Sequence, residues 1–389
     1  MKKILVFLCL IGMVSYASVS WYSDDQLNQI SLKFCKTVEK QSLTRVQVHE
    51  LFTKLGKKHP RYSSILNTLE KKAIFNCYDE DEDNTVEINT PKWIYVSAGP
   101  TNERSYSVKE NLLQYDHVDG VLVRITWNDI ETAKWVYDFS KINYQLDLVK
   151  QYDKKIALTV LIDTPDWFKN EENSVYYTSV RDNAQRDMPI PWNQEYLDTY
   201  ELFISELSTE YKDEESIGLL YITNWSFNGV EMQFPREVTP EQIWYTNEKI
   251  IDSWKKVIDM YNVYFPNTFL ANDYHPIFEN DEPSQEIYEY AIKTLGNRYW
   301  ASMWWWSERN MDTYSKQNDI LNESVSHWFA WVQFAQSWTK NPDKLSNNWF
   351  TGLVDLTLDK WVCYFEIWEN DIKNNEFISD FENIQESCK

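Results

Sequence analysis

The chain has 389 residues and a formal net charge of −22 at pH 7, with 60 acidic against 38 basic side chains. This acidity excludes nucleic acid and anionic membranes as partners bound through a broad basic surface. The length exceeds that of one small domain and suits a barrel of roughly 250 to 300 residues with an appended module.

The first residues predict export. Lys2 and Lys3 precede a short apolar run at 4–14, and the small-x-small sequence at 15–17 predicts a cleavage site. The apolar run is too short to span a bilayer. We therefore expect a signal peptide at residues 1–17 and a secreted protein without a membrane segment.

The cysteines that follow the signal predict disulfides, because an exported protein folds in an oxidising compartment. Four remain after Cys9 is removed, and they allow more than one pairing. We favour Cys35 with Cys77 inside the N-terminal region, and Cys363 with Cys388, which would tie the C-terminal tail to the rest of the chain.

The region after the signal predicts a small helical module. Segments 24–40, 44–57 and 62–77 carry apolar residues at helical spacing. The acidic run 79–83 then predicts a solvated linker. Residues 18–92 are therefore predicted to form a helical N-terminal module with an acidic linker.

From residue 93 onward, strand and helix patterns alternate. Short apolar runs predict strands buried on both faces of a parallel sheet. Eight such runs match the strand number of a closed barrel. The predicted fold class is α/β, a (β/α)8 TIM barrel over residues 93–389. Predicted strands are 93–98, 120–125, 155–162, 217–223, 268–272, 300–305, 329–334 and 360–367, and predicted helices are 143–152, 194–211, 240–261 and 284–295.

Two strand ends carry the most informative residues. Segment 119–131, DGVLVRITWNDIE, and segment 156–168, IALTVLIDTPDWF, each run from an apolar strand into polar and aromatic residues. Barrel enzymes keep their active sites at the carboxyl ends of the strands. Together with YDFSKI at 137–142, these segments resemble the second and third βα units of retaining glycoside hydrolases of the β-galactosidase and cellulase superfamily.

The resemblance implies two carboxyl groups, an acid/base after strand four and a nucleophile usually after strand seven. Glu231, in the segment that leaves strand four, is the predicted acid/base; a solvated loop glutamate is the alternative. Asn224 or Asn228 would orient a sugar hydroxyl. The family's usual Asn-Glu pair is not adjacent here.

The second carboxylate is harder to assign, because predicted strand seven contains none. Glu366 on strand eight is preferred over Glu308, which follows three tryptophans after strand six. An arginine at a strand end can keep a nucleophilic carboxylate ionised through a charge-assisted hydrogen bond, and Arg124 is the candidate. The alternative for Glu366 is a structural salt bridge to Arg124 inside the barrel.

The remaining candidates would bind substrate. Asp129, Asp163 and Asp166 could bind sugar hydroxyls, and His275 could be a hydroxyl ligand or a proton partner. Aromatic rings stack on the apolar faces of pyranose rings, although some will fill the core instead. The candidate stacking residues are Trp127, Trp167, Trp192, Trp304, Trp306 and Trp368.

Other chemistries lack a signature. The five histidines show no H-x-x-x-H or H-E-x-x-H spacing, and G-x-S-x-G, P-loop and dinucleotide motifs are missing. We therefore expect no metal or cofactor, a carbohydrate as partner, and a monomer. The predicted function is a secreted glycoside hydrolase that cleaves a glycan with two carboxylates. The alternative is a catalytically inactive glycosidase-like barrel that binds carbohydrate or another partner.

Overall fold

The computed structural model describes residues 29–36, 51–52, 54–55, 66, 69, 93–97, 109–170, 172–180, 183–224, 230–327, 330–346 and 349–388. The chain divides into two units between residues 86 and 87. In the first unit, residues 29–36 are helical, and the rings of Phe34 and Phe52 meet edge to face at 5.4 Å. The predicted signal peptide, the acidic linker and Cys77 lie outside the described residues, so these predictions and the Cys35–Cys77 pairing stay predictions.

The second unit contains a closed parallel barrel, which confirms the predicted fold class. The strands are β1 (Trp93–Ser97), β2 (Gly120–Thr126), β3 (Glu131–Ala133), β4 (Val136–Tyr137), β5 (Lys155–Leu161), β6 (Ser174–Thr178), β7 (Gln185–Pro189), β8 (Ile217–Tyr221), β9 (Leu270–Asp273), β10 (Tyr299–Trp306), β11 (Ala330–Phe334) and β12 (Tyr364–Trp368). The barrel strands follow the order β1-β12-β11-β10-β9-β8-β5-β2 around the ring, while β3 with β4 and β6 with β7 form two antiparallel hairpins.

The barrel helices are α1 (Glu110–Leu113), α2 (Trp127–Ile130), α3 (Ser140–Lys150), α4 (Gln194–Tyr211), α5 (Asn247–Tyr264), α6 (Glu282–Leu295), α7 (Glu308–Thr313), α8 (Ser315–His327), α9 (Phe350–Leu358), α10 (Glu369–Ile372) and α11 (Ile378–Ser387). Short 3-10 turns occupy Glu241–Ile243, Gly296–Arg298, Pro342–Lys344 and Asn375–Phe377.

The helix predicted for residues 240–261 begins later than expected. After the turn Glu241–Ile243, Trp244 adopts a left-handed conformation with φ 49° and interrupts the helical path. Helix α5 then starts at Asn247, where the hydroxyl of Thr246 accepts a hydrogen bond from the Lys249 backbone N–H at 3.3 Å. A side-chain cap of this kind satisfies a free N–H of the first turn.

Alternation along the strands decides which side chains enter the barrel. Phe365 and Ile367 are fully buried neighbours of Glu366 on β12, and they point away from the interior that Glu366 shares with its partners. Glu366 lies opposite Tyr95 on β1 and Gln333 on β11. Large aromatic rings fill the rest of the barrel interior and belong to one buried cluster: Tyr95, Trp300, Trp331 and Tyr364.

The end of the chain is tied to the barrel. Cys363 and Cys388 form a disulfide, as predicted, with Cα atoms 5.5 Å apart. The indole N–H of Trp93 donates to the carbonyl of Cys388 at 2.9 Å, which attaches the same residue to the first strand. Within the described ranges, no helix is long and apolar enough to cross a membrane.

Candidate active site

Polar side chains from several strands meet at the mouth of the barrel, meaning the end where the strands' carboxyl termini lie. Arg124 comes from β2, Tyr221 from β8, Gln333 from β11 and Glu366 from β12. Hydrogen bonds connect all four, together with Trp304 from β10. We call these five residues the Glu366 network.

Glu366 is the centre of this network. Its side chain is fully buried. The Tyr221 hydroxyl donates to Oε1 at 2.7 Å, and Nε2 of Gln333 donates to Oε2 at 2.7 Å. Burial raises the pKa of Glu366 to about 7, although the Tyr221 bond, the Arg124 charge and the Gln333 bond act in the opposite direction. The group therefore changes protonation near neutral pH.

Arg124 reaches Glu366 through Gln333. Nη2 of Arg124 donates to Oε1 of Gln333 at 3.3 Å, and the other end of the same amide donates to Glu366. The predicted charge-assisted bond between Arg124 and the carboxylate is thus relayed by a neutral side chain. The guanidinium also lies 4.0 Å from the ring centre of Trp304, a cation–π contact that fixes its orientation.

A second group of charges lies at the same mouth. Nε2 of His275 is 3.2 Å from Oδ2 of Asp273 and 3.9 Å from Oε1 of Glu231. Asp273 ends β9, and Glu231 pairs with it through an isolated parallel bridge. We call these three residues the His275 cluster. Gln233 donates a hydrogen bond to the second oxygen of Glu231.

Burial and charge act against each other in the His275 cluster. Burial raises the pKa of Asp273 to about 6, against the opposing effect of His275. Burial opposes protonation of His275, but the negative charges of Glu231 and Asp273 outweigh it and raise the pKa of His275 above its ordinary value. Asp273 is fully buried, whereas the side chain of Glu231 is 13% exposed. Glu231 is therefore the carboxylate of this cluster that solvent reaches.

Trp304 connects the two groups. Its backbone N–H donates to Oδ1 of Asp273 at 2.6 Å, and its indole N–H donates to the Tyr221 hydroxyl at 3.0 Å. Because Tyr221 donates in turn to Glu366, a short chain of hydrogen bonds runs from Asp273 to Glu366. The negative charge of Asp273 also raises the pKa of Glu366, so the two carboxyl groups are electrostatically coupled.

Three predicted substrate-binding residues make contacts with other parts of the protein. Asn224 is fully buried, and its amide bonds to the Tyr196 hydroxyl at 3.0 Å and to Ser253 at 2.9 Å. Asp129 forms a surface ion pair with Lys141 at 2.7 Å. Glu308 accepts a hydrogen bond from Ser346. Asn224 is therefore part of the core, whereas sugar binding by Asp129 and Glu308 stays a prediction.

Two predicted stacking residues lie in the core. Trp127 is fully buried among the aromatic rings of Phe168, Tyr196, Tyr200 and Phe203. Its buried position leaves no ring face for a sugar.

Trp306 is also fully buried, and its indole N–H donates to the Thr357 hydroxyl of α9 at 2.8 Å. A register shift between Met303 and Trp306 changes the alternation at the end of β10. Trp306 therefore bonds to an outer helix, whereas Trp304 belongs to the Glu366 network.

Three other candidates border the mouth. Asp163 is partly exposed directly after β5, and its carbonyl accepts a hydrogen bond from the Asn128 N–H at 3.0 Å. Trp167 is partly exposed in the same loop. Trp368 ends β12, and its indole N–H donates to the Phe334 carbonyl at 2.6 Å. Asn228 lies outside the described residues.

Sequence reasoning missed Tyr221, Asp273 and Gln333. Asp273 carried the same signal that singled out Arg124, a charged residue directly at the end of an apolar strand. Tyr221 and Gln333 carried no signal, because neutral residues inside apolar strands are indistinguishable from core residues. Of the described side chains, no group of three or more His, Cys, Asp and Glu could hold a metal ion.

No protein-family model matches the sequence, and no curated protein matches it either. The solved structures that match include the tri-modular endo-β-1,4-glucanase B of Bacillus halodurans, at 9% identity and a TM-score of 0.49 over 77% of this chain and 60% of that one. Xylanase 10B of Thermotoga maritima matches at 13% identity and a TM-score of 0.42 over 72% of this chain and 83% of that one.

A β-galactosidase from the psychrophilic Marinomonas ef1 matches at 9% identity and a TM-score of 0.47, over 76% of this chain and 59% of that one. The chain spans 60% of the length of two of the tri-modular endoglucanases that it matches. These identities and scores are too low for any statement about a shared activity.

Proposed function

We propose that the protein hydrolyses glycosidic bonds in a glycan, with Glu231 as general acid/base and Glu366 as the second carboxylate. The observation that supports this proposal is the chain of hydrogen bonds through Trp304, which joins the Glu366 network to the His275 cluster at one mouth of the barrel. Glycoside hydrolysis needs one carboxyl group to protonate the leaving oxygen and another to attack the sugar or activate water.

The two environments suit these different roles. Glu231 is partly exposed, so a substrate can reach its carboxyl group. Glu366 accepts two hydrogen bonds from neutral donors, which stabilise its ionised form once the pH passes its pKa of about 7. Gln333 and Tyr221 are positioning residues, because they orient the carboxylate without reacting themselves.

The Glu231→Gln variant tests this assignment. Turnover of an unactivated glycoside should fall by about 10²- to 10⁴-fold, the usual contribution of general acid catalysis. Activated aryl glycosides should lose less, because a good leaving group needs little protonation. Glu289→Gln, an exposed glutamate on α6, is the matched control and should retain wild-type turnover. Equal turnover of both substrates by Glu231→Gln and wild type would remove Glu231 as the acid.

A second candidate function is carbohydrate binding without catalysis. Glu366 favours it, because a fully buried carboxylate with hydrogen bonds to both oxygens is also what a structural residue looks like. A wild-type protein that binds glycans and hydrolyses none, with Glu231→Gln and Glu366→Gln binding equally well, would decide for this function.

We further propose that the protein is exported and acts outside the cell. The charged, apolar and small-residue order of residues 1–17 and the Cys363–Cys388 disulfide support this proposal. Mass spectrometry of the secreted protein should find an N-terminus at or near Ser18. A mature protein that retains Met1 would contradict it.

A further inference from the structure

The tip of the β3–β4 hairpin has an unusual backbone conformation. Trp135 has a φ of 66°, in the left-handed region that a bulky residue rarely adopts. Its N–H donates to Oε1 of Glu131 at 2.9 Å, while the indole N–H of Trp127 donates to Oε2 at 2.8 Å. Glu131 is fully buried. A buried carboxylate thus fixes a strained tryptophan, and such strain clusters at functional sites.

The ring of Trp135 forms a notch with a second tryptophan. The ring centres of Trp135 and Trp167 are 5.8 Å apart, and the ring planes are inclined by 49°. Both side chains are partly exposed. Nζ of Lys134 lies 5.3 Å from the ring centre of Trp135 and 5.5 Å from that of Trp167. We call these three residues the Trp135–Trp167 notch.

One polar atom of the notch lacks a partner. The indole Nε1 of Trp167 is buried and has no hydrogen-bond acceptor among the residues that the structure describes. A buried donor without an acceptor costs free energy.

The notch lies on the same side of the barrel as the two carboxyl clusters. Trp135 follows β2, and Trp167 follows β5, the neighbouring parallel strand. Hydrogen bonds join the two loops: the Asn128 N–H donates to the Asp163 carbonyl at 3.0 Å, and the Asp166 N–H donates to the Asn128 side chain at 3.3 Å. These bonds keep the two loops that carry the rings in one arrangement.

We propose that the Trp135–Trp167 notch is a sugar subsite that binds one pyranose unit of a neutral glycan. The exposed parts of the two rings offer apolar faces for the C–H groups of the sugar, and the exposed Lys134 ammonium offers a donor for its hydroxyls. The net charge of −22 disfavours a polyanionic glycan. This subsite rests on the proposed function and deepens it, because both rings follow strands whose carboxyl ends lie at the same mouth as the Glu366 network and the His275 cluster.

Affinity electrophoresis tests the subsite in gels that contain soluble xyloglucan, mixed-linkage β-glucan, xylan, galactomannan or polygalacturonate. The wild-type protein should be retarded by at least one neutral polysaccharide and not by polygalacturonate. Trp135→Ala should weaken that binding roughly tenfold or more, and Trp135→Phe should restore most of it, because a smaller ring still stacks. Lys134→Ala should weaken it by a smaller factor.

Trp361→Ala is the matched control. Trp361 is 78% exposed and also has a positive φ, of 61°, but it precedes β12 and so belongs to the opposite end of the barrel. Its removal should leave retardation unchanged. Thermal melts followed by circular dichroism identify any variant that fails to fold. If Trp135→Ala does not fold, the comparison of Trp135→Phe and Lys134→Ala with the wild type is the test.

Three results would overturn the proposal: no retardation of the wild type by any neutral polysaccharide, stronger retardation by polygalacturonate, or equal retardation of the wild type and a folded Trp135→Ala. Hydrolysis is scored separately on short aryl glycosides. If retardation depends on Trp135 but no glycoside is hydrolysed, the subsite is supported and the proposed hydrolase function is rejected. If glycosides are hydrolysed but retardation does not depend on Trp135, the hydrolase function is supported and the subsite is rejected.

Discussion

The Glu366 network and the His275 cluster, both at the barrel mouth, are built in opposite ways. Glu366 is fully buried and bonded by the neutral donors of Tyr221 and Gln333. Glu231 is partly exposed and faces a histidine that is shared with Asp273. One carboxylate is therefore positioned by the protein alone, whereas the other remains in contact with solvent. The difference indicates which group has a fixed position and which one solvent reaches.

Glu366→Gln is the largest perturbation of this comparison. The variant removes the negative charge from the Glu366 network, so turnover of activated and of unactivated glycosides should fall by a similar factor. The loss should exceed the roughly 10²- to 10⁴-fold expected for the general acid. Initial rates on both substrate classes, with Glu231→Gln alongside, measure the contrast. A variant that slows only the unactivated substrate would assign Glu366 to acid catalysis instead.

The Glu366 network should also make the stability of the folded protein depend on pH. The pKa of Glu366 is about 7 in the folded protein, against an ordinary value of 4.5, so the folded state keeps a proton that the unfolded state has lost. This contribution is fully present below pH 4.5 and is lost as the pH rises through 7. It amounts to about 3 kcal/mol at most.

Urea unfolding of wild type and Glu366→Gln between pH 4.5 and 7.5 measures this contribution. The unfolding free energy of wild type should fall more steeply with rising pH than that of the variant. Asp273, whose pKa of about 6 is also raised, contributes to the slope of both proteins, and its coupling to Glu366 makes the difference between the slopes a property of the pair. Parallel slopes would mean that Glu366 is already ionised throughout this range.

The barrel was predictable from the sequence, but the partners of its carboxylates were not. Apolar runs and the residues that break them located the strands and singled out Arg124 and Glu366. Pairing across strands is set by register, which no local pattern encodes, so the bond between Tyr221 and Glu366 was invisible. The same limit explains why Trp306 was wrongly expected to stack on a sugar. A register shift at the end of β10 turns its side chain toward an outer helix.

Gln333→Leu should sharpen the comparison with a smaller effect. The variant removes a donor from Glu366 and breaks the link to Arg124, so the pKa of Glu366 should rise further. The limb of the kcat/KM profile that Glu366 controls should move upward by up to about one pH unit. His275 and Glu231 are untouched, so the other limb should stay in place. Movement of both limbs would mean that the Glu366 network and the His275 cluster titrate as one unit.

Glu308→Gln should have the smallest effect. Glu308 accepts its hydrogen bond from Ser346 and belongs to neither cluster. Turnover should stay within about threefold of wild type, because the amide oxygen of the variant can still accept the hydrogen bond from Ser346. A loss comparable with that of Glu366→Gln would restore Glu308 as the second carboxylate.

A crystal structure of the Glu231→Gln variant with a bound oligosaccharide substrate tests the central claim most directly. The glycosidic oxygen should lie about 3 Å from the side chain at position 231, with the anomeric carbon facing Glu366. The separation of the two carboxyl groups then gives the stereochemistry, about 5 Å for retention and about 6.5 to 9.5 Å for inversion. A sugar that lies away from both groups, with Glu366 still enclosed by Tyr221 and Gln333, would contradict the claim.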